Sequence, residues 1–142
     1  MPKTFELKKQ ELLRKHTLIQ DLFNAKVGQH KALEYPFMAL WKRAVPDTQY
    51  PAQVLFIVSK KYSKRRVHVN RTKRQMRELY RLRKHLLYEV LNQVETQIIL
   101  AIIFTGKERF EHAALEEKFD NLLEKLIAKI EEKPGADFPT AN

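Results

Sequence analysis

Cysteine is absent from the 142 residues, which excludes a disulfide framework and any thiolate metal site and is compatible with a reducing compartment. Glycine is scarce, with three in all, and there is no low-complexity tract, so internal linkers and disorder are not expected apart from the two ends. No segment repeats. No apolar run approaches the roughly 20 residues that a membrane-spanning helix needs. The longest is residues 98–104. Near the N-terminus Glu6, Lys8, Lys9 and Glu11 interrupt what would be the apolar core of a signal peptide. These absences lead to the expectation of a soluble, cytoplasmic protein with no membrane partner. By length the chain is one domain, residues 1–133. The 44% hydrophobic content is enough for one core. Residues 134–142 hold two prolines and little apolar content and are expected to be a disordered tail.

Acid is also missing from one place in particular. Residues 60–85 hold twelve of the 27 lysines and arginines and a single acid, Glu78. This stretch is therefore +11 in a chain that is +10 overall, and the remainder is near neutral. Charge so concentrated points to a polyanion, with phosphate the obvious candidate. At about 100° per residue, Met76, Leu79, Tyr80, Leu86, Leu87 and Val90 fall in an arc of roughly 120° around Val69. Asn70, Lys73, Arg74, Arg77, Arg81 and Lys84 form a second arc beside it. The first is expected to dock on a core and the second to be a cationic ridge. Arg83 falls inside the apolar arc, which predicts either a snorkelling side chain or a bend near Leu82. A solvated face would mix signs, and this one does not. The nucleic-acid-binding set is therefore Lys60, Lys61, Lys64, Arg65, Arg66, His68, Asn70, Arg71, Lys73, Arg74, Arg77 and Arg81.

Around this stretch the elements follow from periodicity and punctuation. Residues 1–10 are polar and expected to be loose. Leu12, Leu13, His16, Ile19, Leu22 and Phe23 recur at helical spacing and predict a short helix over 15–24, ended by Gly28. Residues 35–43 read as a strand in which Pro36 suits a first residue or an edge. Pro46, Asp47 and Pro51 bracket a turn. Residues 52–59 read as a buried strand, 60–65 as a basic loop, and 66–91 as the basic helix in one or two pieces. Residues 97–105 form a central strand closed by Gly106. Residues 111–130 form an amphipathic helix with Leu115, Phe119, Leu122, Leu123, Leu126, Ile127 and Ile130 in one stripe. The expected fold class is α/β, an α-β sandwich with helices on a small mixed sheet.

Catalytic signatures are missing. The five histidines are scattered, and there is no glycine-rich phosphate loop and no nucleophile elbow. Glu116, Glu117, Asp120 and Glu124 on the last helix read as a solvated face, so neither catalytic residues nor metal ligands are assigned.

The run Val67-His68-Val69-Asn70-Arg71-Thr72-Lys73-Arg74-Gln75-Met76-Arg77-Glu78, with Ser59-Lys60-Lys61 before it, resembles the signature of the bacterial ribonuclease P protein subunit. That pattern is roughly V-x-R-N-R-x-K-R-x-x-R-E. Val69 stands in place of its first arginine, and Arg66 in place of a small residue. The resemblance implies the order α-β-β-β-α-β-α, with a further short strand near 27–32. It also implies a protein that does not itself cleave. The catalytic RNA subunit would use RNA-held Mg2+, while the protein binds that RNA and the 5′ leader of precursor tRNA. The implied leader groove lies between the first helix and the open sheet face, with Ile19, Phe23 and Trp41 as counterparts of its lining. The alternative is a non-catalytic RNA-binding scaffold such as a ribosomal protein. A DNA-binding factor is disfavoured because the helix offers nearly uniform cations instead of mixed base-reading residues at its start.

Overall fold

A computed structural model describes residues 6–24, 28–44, 48–59 and 65–132. The elements run α1 (His16–Asn24), β1 (Gln29–Glu34), β2 (Phe37–Arg43), β3 (Ala52–Val58), α2 (Arg66–Gln93), β4 (Ile98–Phe104) and α3 (His112–Glu132). This is the expected α/β architecture with three helices and a four-stranded mixed sheet, including the additional short strand, here β1. The turn residues Pro46 and Asp47, the basic loop residues Lys60, Lys61 and Lys64, and the tail 134–142 lie outside the described residues.

The sheet order is β1-β2-β4-β3. The β1–β2 and β2–β4 pairs are antiparallel, and β3 runs parallel to β4. A hairpin can join antiparallel neighbours directly, whereas the parallel pair needs a crossover, and α2 supplies it. Pro36 sits in the β1–β2 turn, so β2 begins at Phe37 and every N–H of this inner strand is available for pairing. Gly28, ahead of β1, has φ 86°, a left-handed conformation that glycine adopts without a Cβ clash.

Side chains alternate across the sheet, and the two faces have different coverings. Phe37, Ala39 and Trp41 of β2, Val54 and Phe56 of β3, and Leu100 and Ile102 of β4 pack under α2 and α3 in the main core. Ile99 and Ala101 face the other way, where Leu13 and Leu22 cover them together with Leu18, Ile19, Leu55 and Ile103. From α2 the core receives Met76, Leu79, Tyr80, Leu87 and Val90, as the apolar arc predicts, with Thr72 also buried. From α3 it receives Leu115, Phe119, Leu122, Leu123, Leu126 and Ile130. Leu86 departs from the expectation. It is 45% exposed, because α3 lies to one side of α2 and leaves that edge of the arc uncovered.

Of the residues 1–10 expected to be loose, 6–10 are held by backbone contacts, and 1–5 lie outside the described residues. A short 3-10 turn (Lys9–Glu11) leads into Leu12, which bridges to Val54 in parallel register, and Leu13 N donates to Val54 O at 2.8 Å. Gln53 Nε2 donates to Gln10 O. The segment thereby covers part of the otherwise open β3 edge. On the opposite edge, Lys125 Nζ donates to Leu33 O of β1, and Lys129 Nζ donates to Lys31 O.

Candidate nucleic-acid interface

α2 is one uninterrupted helix of 28 residues, with Arg83 in its C-terminal half. Its guanidinium reaches across to α3, where it pairs with Glu116 at 2.8 Å and with Asp120. Burial works against the charged form of this guanidinium, but the two carboxylates prevail and push its pKa above the ordinary value. Two of the acids read as solvated are therefore ion-pair partners.

Lys84 also leaves the ridge in which its spacing placed it. It is buried, and its Nζ donates to Glu11 Oε1 at 2.6 Å and to Glu6 O. Tyr88 Oη donates to the same carboxylate oxygen at 2.6 Å. Burial, more than any neighbouring charge, pushes the Tyr88 hydroxyl far above its ordinary pKa and keeps it a donor. Arg81 binds Glu78 one turn earlier, and that hydrogen bond holds the Glu78 carboxyl below its usual range. Three cations of α2, at positions 81, 83 and 84, are thus engaged by protein acids.

The remaining cations lie toward the N-terminal half. Arg65, Arg66, His68, Asn70, Arg71, Lys73, Arg74 and Arg77 are all exposed. Among the described residues, Arg66, Arg71, Lys73, Arg74 and Arg77 have no carboxylate within ion-pair distance. The helix N-terminus adds its own partial positive charge and unsatisfied N–H groups to this end. Lys73 and Arg77 also line a cleft of about 270 Å³ whose other walls include Leu13 and Arg14 of the N-terminal segment and Leu55 and Phe56 of β3. The cationic face is therefore continuous with the edge of the open sheet face.

Of the three leader-groove counterparts, one is misplaced. Trp41 is 1% exposed and points into the helix-covered core, where it stacks on His30 at 5.5 Å between ring centroids. The pleat turns its neighbours Leu40 and Lys42 to the α1 side instead. Lys42 Nζ binds Asp21 of α1 at 2.8 Å and fastens that helix to the sheet. Ile19 is half-buried against the cluster of Leu13, Leu22, Ile99 and Ala101. Phe23 is 38% exposed at the C-terminal end of α1. Sequence reading missed Met38, Leu55, Ile57 and Ile103, all partly exposed on this open face. Period-two alternation from any residue of known facing would have found them. Among the described residues no three of His, Cys, Asp and Glu come together as ligands for a metal ion, and no helix is long and apolar enough to cross a membrane.

Residues 7–130 match the sequence profile of the Ribonuclease P family. The chain belongs to the ribonuclease P protein family. It is 30% identical over 130 residues to the ribonuclease P protein component of Porphyromonas gingivalis, covering 91% of this chain and 92% of that one. With the component of Chlorobium phaeobacteroides it shares 41% identity over 108 residues, 70% of this chain and 72% of the other. The fold is similar to that of the Staphylococcus aureus RNase P protein, with a TM-score of 0.63 at 15% identity over 83% of this chain and 96% of that one. It is also similar to the Thermotoga maritima RNase P protein, with a TM-score of 0.59 at 22% identity over 81% and 96%.

Val69, which departs from the family's arginine, packs half-buried against the main core. An arginine stem can run along that apolar surface and carry its head outward. Val69→Arg is therefore expected to cost about 1 kcal/mol or less and to change RNA affinity by less than about tenfold. Urea unfolding alongside filter binding checks both figures. A gain beyond tenfold with no loss of stability would put position 69 in the interface.

Proposed function

We propose that this chain is the protein subunit of a ribonuclease P ribonucleoprotein that matures tRNA 5′ ends in the cytoplasm. It binds the catalytic RNA through the N-terminal half of α2 and the precursor's 5′ leader over the open sheet face beside α1. The carrying observation is the run of exposed cations, Arg66, Arg71, Lys73, Arg74 and Arg77, with no carboxylate within ion-pair distance among the described residues, the neighbouring Glu78 being held by Arg81. Their heads neutralise phosphates and release counterions, with the arginines forking onto phosphate oxygens and Lys73 acting as a point charge. Asn70 can bond a sugar hydroxyl, a phosphate or a base edge. Cleavage is the work of the RNA, with Mg2+ held by its phosphates. Among the described residues no side chains converge as a metal cradle, and the part this reading gives the chain is to bind and orient.

The leader assignment rests on Phe23, whose exposed ring is a stacking platform. Base–aromatic stacking is worth about 1–3 kcal/mol. In the reconstituted holoenzyme, Phe23→Ala is expected to raise KM for long-leader precursors by about tenfold and to leave kcat and short-leader substrates nearly unchanged. An equal rise on both substrates would remove the leader from α1. Cleavage by the purified protein without RNA, abolished by a point mutation, would overturn the division of labour.

A further inference from the structure

A groove of about 440 Å³ lies between α2 and α3, on the helix layer and away from α1. Leu86, Leu123 and Ile127 line it, with Asp120, Glu124 and Glu131 among its walls. Leu82, one turn before Leu86, is 40% exposed and extends the apolar strip.

The charges of α3 are divided between its two sides. Lys118, Lys125 and Lys129 lean toward β1, where they meet Glu34 and the edge carbonyls of Lys31 and Leu33. The acids lie on the side toward α2. Glu116 and Asp120 are engaged by Arg83. Glu124 and Glu131 are exposed and have no cationic partner among the described residues. On a chain of net charge +10 this is an anionic, apolar-floored trough. A polyanion is repelled from it, and a cationic, apolar ligand is favoured on both counts.

We propose that the α2–α3 groove docks a basic amphipathic helix of a second protein. From Asp120 to Glu131 the helix rises about 16 Å, which matches about three turns of a guest. Such a guest would place apolar residues at i, i+4 and i+7 on Leu86, Leu123 and Ile127 and set flanking Lys or Arg against Glu124 and Glu131. Two copies of this chain joined symmetrically through the groove would bring acidic rim against acidic rim, so a second copy does not fit. The site lies apart from the N-terminal half of α2 and from Phe23, and it does not depend on the RNA assignment.

The test uses the full chain and two fluorescent peptides of about 18 residues, long enough for appreciable helicity. One is an amphipathic Leu/Lys helix, and the other has Glu at every Lys. In anisotropy titrations at about 0.1 M salt, the Leu/Lys peptide is expected to bind saturably and at least about tenfold more tightly than its Glu counterpart. The double variant Glu124→Lys/Glu131→Lys is expected to lose about tenfold, and Leu86→Ser about fivefold, whereas Arg74→Ala stays within about twofold. RNA binding by the groove variants, and the urea midpoint of Arg74→Ala, report that each is folded. Absence of saturable binding to the parent, or unchanged binding to folded groove variants, overturns the proposal. So does self-association in sedimentation that Leu86→Ser abolishes, since it would make the groove a contact between copies. RNA crosslinking to Leu86 would overturn it equally.

Discussion

Arg74→Glu is expected to weaken binding of the cognate RNA by about 30- to 100-fold at about 0.1 M salt. A lost charge-assisted contact is worth about 1.5–3 kcal/mol, and each 1.4 kcal/mol is tenfold. The reversed charge then repels the neighbouring phosphates. For the parent, five or six phosphate contacts predict that log K falls with log salt at a slope of roughly −4 to −5. On the proposed reading the exposed cations of α2 supply most of these contacts, and the basic residues of 60–65 supply the rest. Arg74→Ala should reduce the slope by about one unit without altering sequence preference. On the proposed reading the ridge neutralises phosphate that metal ions would otherwise screen, so added magnesium should partly restore cleavage by the Arg74→Glu holoenzyme. The parent protein should correspondingly stimulate cleavage more at low magnesium than at high. Titrations over a salt series and cleavage assays over a magnesium series provide the measurements. A slope near −1 would remove the ridge as the main contact. Equal stimulation at every magnesium level would remove the electrostatic explanation and leave the family assignment intact.

Glu11→Ala is expected to destabilise the fold by about 3–5 kcal/mol, the range for breaking one side of a buried ion pair. That is a large share of the about 5–15 kcal/mol by which domains are stable. Glu11 is 1% exposed and accepts from Lys84 Nζ, Tyr88 Oη and, through its other oxygen, the backbone N–H of Lys8 at 2.8 Å. Truncation leaves the Lys84 ammonium buried with the Glu6 carbonyl as its remaining oxygen partner among the described residues. The apolar pair Glu11→Leu/Lys84→Met should recover most of the loss, because a buried ion pair and a well-packed apolar pair differ little in net worth. The segment that Glu11 anchors also carries Leu13 onto the sheet. Amide exchange at Leu13, bonded to Val54 O, should therefore lose protection in Glu11→Ala ahead of the core strands. An unchanged urea midpoint would show that the clamp contributes nothing to stability.

The sequence by itself determined the order and kind of the elements and the place of the cationic surface. Helical periodicity put Met76, Leu79, Tyr80, Leu87 and Val90 on one face of α2, and all five are buried. An unbroken apolar run marked β4 as an inner strand, whereas the similar run of β3 lies at the sheet edge with Leu55 and Ile57 partly exposed, and the concentration of Lys and Arg between 60 and 85 marked the cationic helix. These signals are local, because a helix wheel and a charge count need no knowledge of neighbours.

Tertiary structure decided which like residues do which work. Lys84 and Lys73 sit in the same predicted arc, but only Lys84 lies within reach of Glu11, 73 residues earlier in the chain, and so it becomes core while Lys73 remains at the surface. Arg83 was the odd residue in the apolar arc until α3 brought Glu116 and Asp120 beside it. β2 is apolar from Phe37 to Trp41, so its pattern could not say which side the helices would cover. The packing of α2 and α3 sent Trp41 inward and turned Lys42 toward α1. Each of these outcomes depends on a partner far away in sequence. A pattern reading can place a charge on a helix face, but the partner that meets it depends on how the chain closes on itself.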